Sequence, residues 1–461
     1  MTQATEIKSY YIESYGCQMN LYDADIMASI LERSGYRPSR ALEEADVILV
    51  NTCSVREHAE QRAMGRIREL AGLKRNRPGA RLAVCGCMAQ RMGQEILGLI
   101  PGIDLVVGTD SYKNLPKLLA QADGLRTVET SVCAQQSYSQ IIPRYRGGVS
   151  AFVAVMRGCD NRCTYCVVPA LRGPARSRPL KQILQEVKGF VVKGCREVTF
   201  LGQNVNAYRD GHRGLQDLLR KADQLSGLYR IRFITSHPRD MDQEILLAMA
   251  DCQNVCEHLH LPLQSGSDKI LRAMRRGYTA EEYRSLVQRA REILPGVSIT
   301  TDLIAGFPGE SEKDFRETLR LMRDVEFDDA FTFAYSHRPG TAAGEKKNQV
   351  PLGVRQGRLE RLISLQREIT HKLNQGLVGH TEEVLVESRS KRNIQELTGR
   401  TRTNKVVNFP GGQELIGTLV KVRVKRAQSG TAWGQQASGN KFEATRRAEV
   451  KRNTISLPSR K

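Results

Sequence analysis

The stretch RGCDNRCTYCVVP sets Cys159, Cys163 and Cys166 within eight residues. Three thiolates in a CxxxCxxC must curl around one object, and soft thiolate ligands select zinc, copper(I) or iron–sulfur. A structural zinc site needs a fourth ligand to close its tetrahedron, and none follows at the usual spacing. Three ligands leave one iron of a [4Fe–4S] cluster open, and an open metal position is where chemistry occurs. The competing reading is a cysteine-rich structural loop or a zinc knuckle, which the missing fourth ligand disfavours.

A second trio is scattered. Cys17 ends YYIESYGC, Cys53 ends DVILVNTC, and Cys87 ends RLAVCGC. Each follows an apolar, β-rich run and precedes a helical one. In an open parallel sheet the carboxyl ends of the strands line one crevice, so these thiols can meet despite their separation. A helix N-terminus beside each favours thiolate over thiol. Taken alone, three buried cysteines at strand ends would be the better account; the first site shifts the balance toward a second cluster.

The chain has eleven cysteines, an odd number that argues against a disulfide framework. Cys85 lies within the third strand and is expected to be buried and inert. Cys252, Cys256, His258 and His260 have zinc-like spacing, but the two cysteines bracket a loop and the histidines alternate along a strand, so no metal is expected there. Cys133 and Cys195 receive no role.

The elements that must position these groups follow from periodicity. Residues 8–120 alternate strand and helix, which predicts a parallel α/β sheet. Residues 121–149 lose the pattern and read as a polar linker. From 150 to 372 six strand–helix units predict an open, partial TIM-like (β/α)6 barrel, closed off by a helix. CxxxCxxC follows its first strand, at the end where barrels keep their active sites. Residues 373–440 change to period two and read as a small antiparallel β-barrel. Residues 441–461 have no apolar period and read as a disordered basic tail. The fold class is α/β, with an all-β C-terminal domain.

Formal net charge is +20 in 461 residues, and from Lys372 onward the chain carries about +11 of it. A polyanionic partner, nucleic acid first, is expected. No apolar run approaches a membrane span and the start lacks a secretory pattern, so a cytoplasmic location without membrane contact is expected.

CxxxCxxC with Tyr165 before its third cysteine resembles the radical S-adenosylmethionine (SAM) superfamily. The motifs YGCQMN, NTCSVRE, CGCMAQR, GCDNRCTYCVVPALRGPARSRP, LGQNVNAY, SHP, HLPLQSGSDKIL and GFPGE further resemble the methylthiotransferase family, from residue 8 to about 430. Within it, LTGRTRTNKVVNF and LGQNVNAY most resemble the branch that makes 2-methylthio-N6-isopentenyladenosine in tRNA. The C-terminal barrel resembles the TRAM module, a small RNA-binding domain. One departure is VCGCMAQR, where the family usually has one cysteine; Cys87 matches the family position.

The resemblance implies two [4Fe–4S] clusters. One, on Cys159, Cys163 and Cys166, binds SAM at its open iron and cleaves it reductively to a 5′-deoxyadenosyl radical. The other, on Cys17, Cys53 and Cys87, carries the sulfur, which a second SAM methylates. The radical removes hydrogen from carbon 2 of the adenine, which then takes the methylthio group. Gly202, Gln203 and Asn204 look like the motif holding the amino end of SAM, and Ser236, Gln264 and Asp302 end later strands and could bind SAM or substrate. GFPGE would shape the barrel rim near adenine; it is not a P-loop. Implied partners are the tRNA anticodon loop and a one-electron donor such as flavodoxin or ferredoxin, with the chain a monomer. Alternatives are the same chemistry on threonylcarbamoyladenosine tRNA or on a ribosomal-protein aspartate, and a non-enzymatic iron–sulfur RNA-binding protein.

Overall fold

The computed structural model describes residues 8–437, apart from 55–56, 78, 122–125 and 134–135. The expected basic tail, 441–461, lies outside the described residues. Two compact units form. One runs through Leu373 and includes Arg402–Asn404; the other takes the rest from Asn374.

The first unit opens with a six-stranded, all-parallel sheet. Its order is Arg37–Pro38, Ser9–Ser14, Val47–Thr52, Arg81–Gly86, Leu105–Val107 and Thr127–Glu129. The strands that precede Cys17, Cys53 and Cys87 are therefore direct neighbours. Val47–Thr52 is buried along its whole length, as a central parallel strand covered on both faces should be.

Six parallel strands follow, in two arcs. Ser150–Ala154, Glu197–Leu201 and Arg230–Ile234 form one, and His258–His260, Ser298–Ala305 and Asp329–Ala334 the other. A parallel bridge between Ile231 and Val255 joins them. Val153, Val198, Phe200, Ile231, Phe233, Leu259, Ile299 and Leu303 point outward into the helix-covered core. The alternate residues face inward and include Glu197 paired with Arg232, and His260 beside Asp302. This is the open partial barrel that six strand–helix units require.

Residues 121–149 are not a plain linker. Thr127–Glu129 supplies the sixth strand of the N-terminal sheet. Tyr138 is buried against Tyr112 with ring centroids 5.6 Å apart. Its hydroxyl donates to the Thr109 carbonyl and accepts from the Tyr112 N–H. Polar composition hid a segment held by one aromatic anchor rather than by a periodic apolar face.

The second unit is a closed five-stranded barrel of Thr381–Arg389, Glu396–Thr401, Val406–Pro410, Ala432–Gln436 and Leu419–Ala427. It is antiparallel except for one parallel pairing, Val406–Pro410 with Ala432–Gln436. Strand Leu419–Ala427 alternates as far as Lys425, with Val420, Val422 and Val424 inside and Lys421, Arg423 and Lys425 outside, before a bulge at Val424–Arg426. Arg426 lies over the Trp433 ring at 4.5 Å.

Replacing Tyr138 by alanine should cost about 3–5 kcal/mol in chemical denaturation, the range for a buried aromatic. A loss under about 1 kcal/mol would restore the linker reading.

Candidate functional site

Backbone geometry brings the N-terminal cysteines together. Gly16 has φ +116°, and a Cβ there would stand 2.3 Å from Cys53 Cβ and 2.9 Å from its Sγ. Only glycine lets the Cys17 turn press onto Cys53. Gly86 has φ +93°, and a Cβ there would strike Asn51 Oδ1 at 2.5 Å and the Thr52 carbonyl at 2.6 Å. Behind the thiols runs a seam of hydrogen bonds. Asn20 Nδ2 donates to the Tyr15 and Thr52 carbonyls, Asn51 Nδ2 to the Asn20 carbonyl, and Thr52 Oγ1 to the Cys85 carbonyl. These tie the three strand ends into one floor.

Cys17 caps helix Gln18–Arg33 and Cys87 begins helix Cys87–Met92. A hydrogen bond from Cys53 draws the Cys17 thiol down to about 6, against burial and with help from the Arg172 charge and the N–H groups of Asn20 and Met19. Burial pushes Cys87 up, while Arg172 opposes it and the Cys17 charge adds to it. Cys85 sits in the apolar core, where burial alone drives its thiol far up.

The barrel trio occupies the loop after strand Ser150–Ala154. Gly158 has φ +75°, and a Cβ there would lie 1.9 Å from the Pro174 carbonyl. Cys159 N–H donates to the Gly173 carbonyl, and Cys166 N–H to that of Cys163. Arg276 Nη1 reaches Cys163 Sγ at 3.4 Å and Tyr165 Oη at 3.3 Å. Burial pushes Cys166 up to about 12, and the neighbouring Cys163 and Cys159 add to it against the Val168 N–H. Burial keeps Cys159 and Cys166 as neutral thiols, soft ligands that a metal would bind by displacing their protons. Among the described residues, no three His, Cys, Asp or Glu side chains gather closely enough for a single metal ion. A cubane takes each thiolate on a separate iron and so asks for a wider spread.

The expected SAM-binding residues separate into three places. Gly202 is packed under Met156, whose Cγ would lie 2.7 Å from an added Cβ. The Gln203 side-chain carbonyl accepts from Gly158 N–H at 2.6 Å and so steadies the cysteine loop. Asn204 lines a cavity of about 170 Å³ with Cys159, Met156, Asn161, Arg239 and Asp240. Its Nδ2 donates to Asp240, while its Oδ1, Ser236 Oγ and His237 Nε2 are buried without hydrogen-bond partners. Burial and the Arg276 charge hold the His237 imidazole neutral, near pKa 3. Orphaned buried polar atoms are costly, and Asn204 Oδ1, in the cavity that Cys159 also lines, suits a polar ligand there. Gln264 and Asp302 lie on the other arc. Gln264 is at φ +74° with its backbone paired to Asp302 and Ile304, and Asp302 faces His260 at 3.5 Å. In GFPGE, Glu310 accepts from Gly306 N–H and from Arg358, which fixes the turn into helix Glu312–Val325. His258 and His260 both bond Thr300, and Cys256 faces Arg232 and Arg230.

Sequence reasoning missed what lies between the two cysteine sites. Cys87 packs against Val167 and Leu171, in the helical turn that follows Cys166. At the end of that turn Arg172 donates to Asp23 Oδ2 at 2.8 Å and Asn20 Oδ1 at 3.2 Å. Arg157, stacked 4.6 Å over the Tyr138 ring, donates to Asp23 Oδ1. All three charges are buried, Asp23 completely. The signal was an aspartate inside the apolar stripe of Met19, Tyr22, Ile26, Met27 and Ile30. Arg176 with Asp110, and Arg178 with Glu186 and Tyr22, complete the role of ALRGPARSRP as a buried arginine ladder.

Three family profiles match this chain: the radical SAM superfamily at residues 153–322, Uncharacterized protein family UPF0004 at 9–108, and the TRAM domain at 375–436. A tRNA-2-methylthio-N(6)-dimethylallyladenosine synthase of Carboxydothermus hydrogenoformans is 47% identical over 426 residues, 90% of this chain and 96% of that protein. One from Syntrophomonas wolfei is 46% identical over 434 residues, 92% of this chain and 97% of that protein. The chain belongs to this methylthiotransferase family. Among solved structures, the radical SAM methyltransferase TsrM of Kitasatospora setae aligns with TM-score 0.59 at 16% identity, over 74% of this chain and 77% of that one. The cobalamin-dependent radical enzyme OxsB aligns with TM-score 0.52 at 11% identity, over 79% and 56%. These two likenesses concern the fold.

Burial raises the pKa of Asp23, but Arg157 and Arg172 outweigh it and hold the carboxyl below its ordinary value. Its stabilising contribution is therefore present above the ordinary carboxylate range and lost as pH falls through the lower, folded-state value. Asp23→Asn should cost the cluster-free protein about 3–5 kcal/mol in urea at neutral pH. The gap should close as pH falls below about 4. A penalty that does not change with pH would contradict this charge assignment.

Proposed function

We propose that this chain adds a methylthio group to carbon 2 of N6-isopentenyladenosine at position 37 of tRNA. One observation carries the reading: two three-cysteine sites, each without a fourth cysteine, lie in one compact unit and share the turn Val167–Arg172 as a wall. In this reading Cys159, Cys163 and Cys166 hold one [4Fe–4S] cluster and Cys17, Cys53 and Cys87 another. Bound there, the clusters would supply the electron that cleaves SAM to a radical and the sulfur that is transferred. An aromatic C–H is far too weak an acid for a histidine or carboxylate base, so a radical is the fitting reagent.

The residues of this chain do the rest. Gly158 and Gln203 would brace the barrel loop, and Asn204, Ser236 and the neutral His237 would offer unspent polar atoms to SAM. Gly202 keeps Met156 close beneath that site. Gln264 and Asp302 line the inner face of the opposite arc, where substrate or the far end of SAM would lie. The anticodon loop supplies unstacked bases that can enter such an opening at modest cost. The TRAM barrel, with Lys421, Arg423 and Lys425 on its outer face, suits tRNA phosphates in a salt-sensitive, largely sequence-independent way. A flavodoxin or ferredoxin would supply the electron, in the cytoplasm, with the chain acting as a monomer.

Among the described residues no helix is long and apolar enough to cross a membrane.

Anaerobic reconstitution should yield about eight irons per chain. Replacing Cys17, Cys53 and Cys87 together by alanine should remove about half the iron and all methylthiolation while 5′-deoxyadenosine formation persists in part. Unchanged iron would make those cysteines structural. In a strain lacking the gene, mass spectrometry of tRNA nucleosides should find the isopentenyl nucleoside without its methylthio group. A normal level of the 2-methylthio form would refute the substrate.

A further inference from the structure

Arg276 is a buried cation whose hydrogen-bond partners among the described residues include no carboxylate. Its Nε donates to Tyr278 Oη at 2.9 Å and its Nη2 to the Pro262 carbonyl at 2.8 Å. Tyr278 is itself held by the Pro262 and Leu263 carbonyls. A planar fork pinned through Nε and Nη2 leaves Nη1 a single direction. Nη1 donates to Cys163 Sγ at 3.4 Å and to Tyr165 Oη at 3.3 Å.

Local structure explains how this residue reaches the cysteine loop. Helix Asp268–Met274 ends at Arg275, left-handed at φ +57°, and the Arg276 N–H closes the turn onto the Leu271 carbonyl. The same helix end receives the loop. Thr164 N–H donates to the Met274 carbonyl at 3.1 Å, and Thr164 Oγ1 to that of Ala273 at 2.9 Å. Arg276 and the residue after Cys163 are therefore fixed on one helix terminus. A buried guanidinium without a counter-charge is costly. Binding iron would turn Cys163 into a thiolate and supply that charge. Hydrogen bonds to ligand sulfurs and nearby positive charge both favour the reduced state of an iron–sulfur centre.

We propose that Arg276 is a positioning residue that raises the reduction potential of the cluster at Cys159, Cys163 and Cys166 by donating Nη1–H to Cys163 Sγ. The proposal rests on the radical-generating reading of that site and names the residue that eases its reduction. Arg276 makes and breaks no bond. The electron comes from the one-electron donor, and the guanidinium offsets the negative charge it adds.

The test is a redox titration of the full-length protein, reconstituted anaerobically. Its readout is electron paramagnetic resonance of the reduced signal that added SAM perturbs. Arg276→Lys keeps the charge and Arg276→Gln removes it. Both should retain about eight irons. In Arg276→Gln the reduction equilibrium should fall about tenfold, about 59 mV for one electron, and Arg276→Lys should recover most of that loss. Equal potentials in the parent and Arg276→Gln overturn the proposal. So does an equal drop of potential, or an equal loss of iron, in both variants, which would mark Arg276 as packing. A second readout needs no variant. The parent, grown on arginine labelled with heavy nitrogen, should show a nitrogen coupling in the same reduced signal by pulsed resonance before SAM is added. Absence of that coupling also overturns the proposal. A parent with no SAM-responsive reduced signal refutes instead the radical-generating reading, and the proposal falls with it.

Discussion

The first unit depends on one buried carboxylate. Asp23 accepts from Arg157 and Arg172 at zero exposure, one turn and a half into the helix that Cys17 caps. Arg157 follows the first barrel strand, and Arg172 follows the barrel cysteine loop. A single aspartate therefore registers the N-terminal sheet against the barrel at the point where both cysteine sites lie. Breaking such a pair leaves an uncompensated charge in the interior, so the two sites cannot drift apart cheaply. Chemistry that passes a group from one site toward a substrate activated at the other needs that fixed relation.

Glycine does the complementary work. Gly16, Gly86 and Gly158 each sit at positive φ with backbone or a cysteine pressed against the place a Cβ would fill. They let strand ends close on the thiols, while the Asn20, Asn51 and Thr52 seam satisfies the polar backbone left behind. The surrounding apolar core is ordinary. The specificity of the fold lies in what it keeps polar.

Much of this was legible in the sequence. Strand–helix alternation and the position of each cysteine after a β-rich run were enough to place Cys17, Cys53 and Cys87 on neighbouring parallel strands. CxxxCxxC was legible because its three cysteines are local. Residues 127–129 and Tyr138 were not, because three residues carry no period and a lone tyrosine in polar company gives no stripe. Arg172 was hidden for another reason: its partner is 149 residues away, and neither residue predicts the other. Asp23 could have been noticed as a charge within an apolar face. The split of Gly202, Gln203 and Asn204 into packing, loop support and cavity lining also escaped a reading that treated them as one motif.

The proposed reaction divides its labour between two neighbouring sites, one generating a radical from SAM and one delivering methylated sulfur. It is tested most directly by product stoichiometry in a single-turnover reaction of the reconstituted protein with SAM, a low-potential reductant and isopentenyladenosine-containing tRNA. 5′-Deoxyadenosine and S-adenosylhomocysteine are expected in equal amounts, each matching the methylthiolated nucleoside formed. Methylthiolated nucleoside formed without 5′-deoxyadenosine, or without S-adenosylhomocysteine, would contradict it.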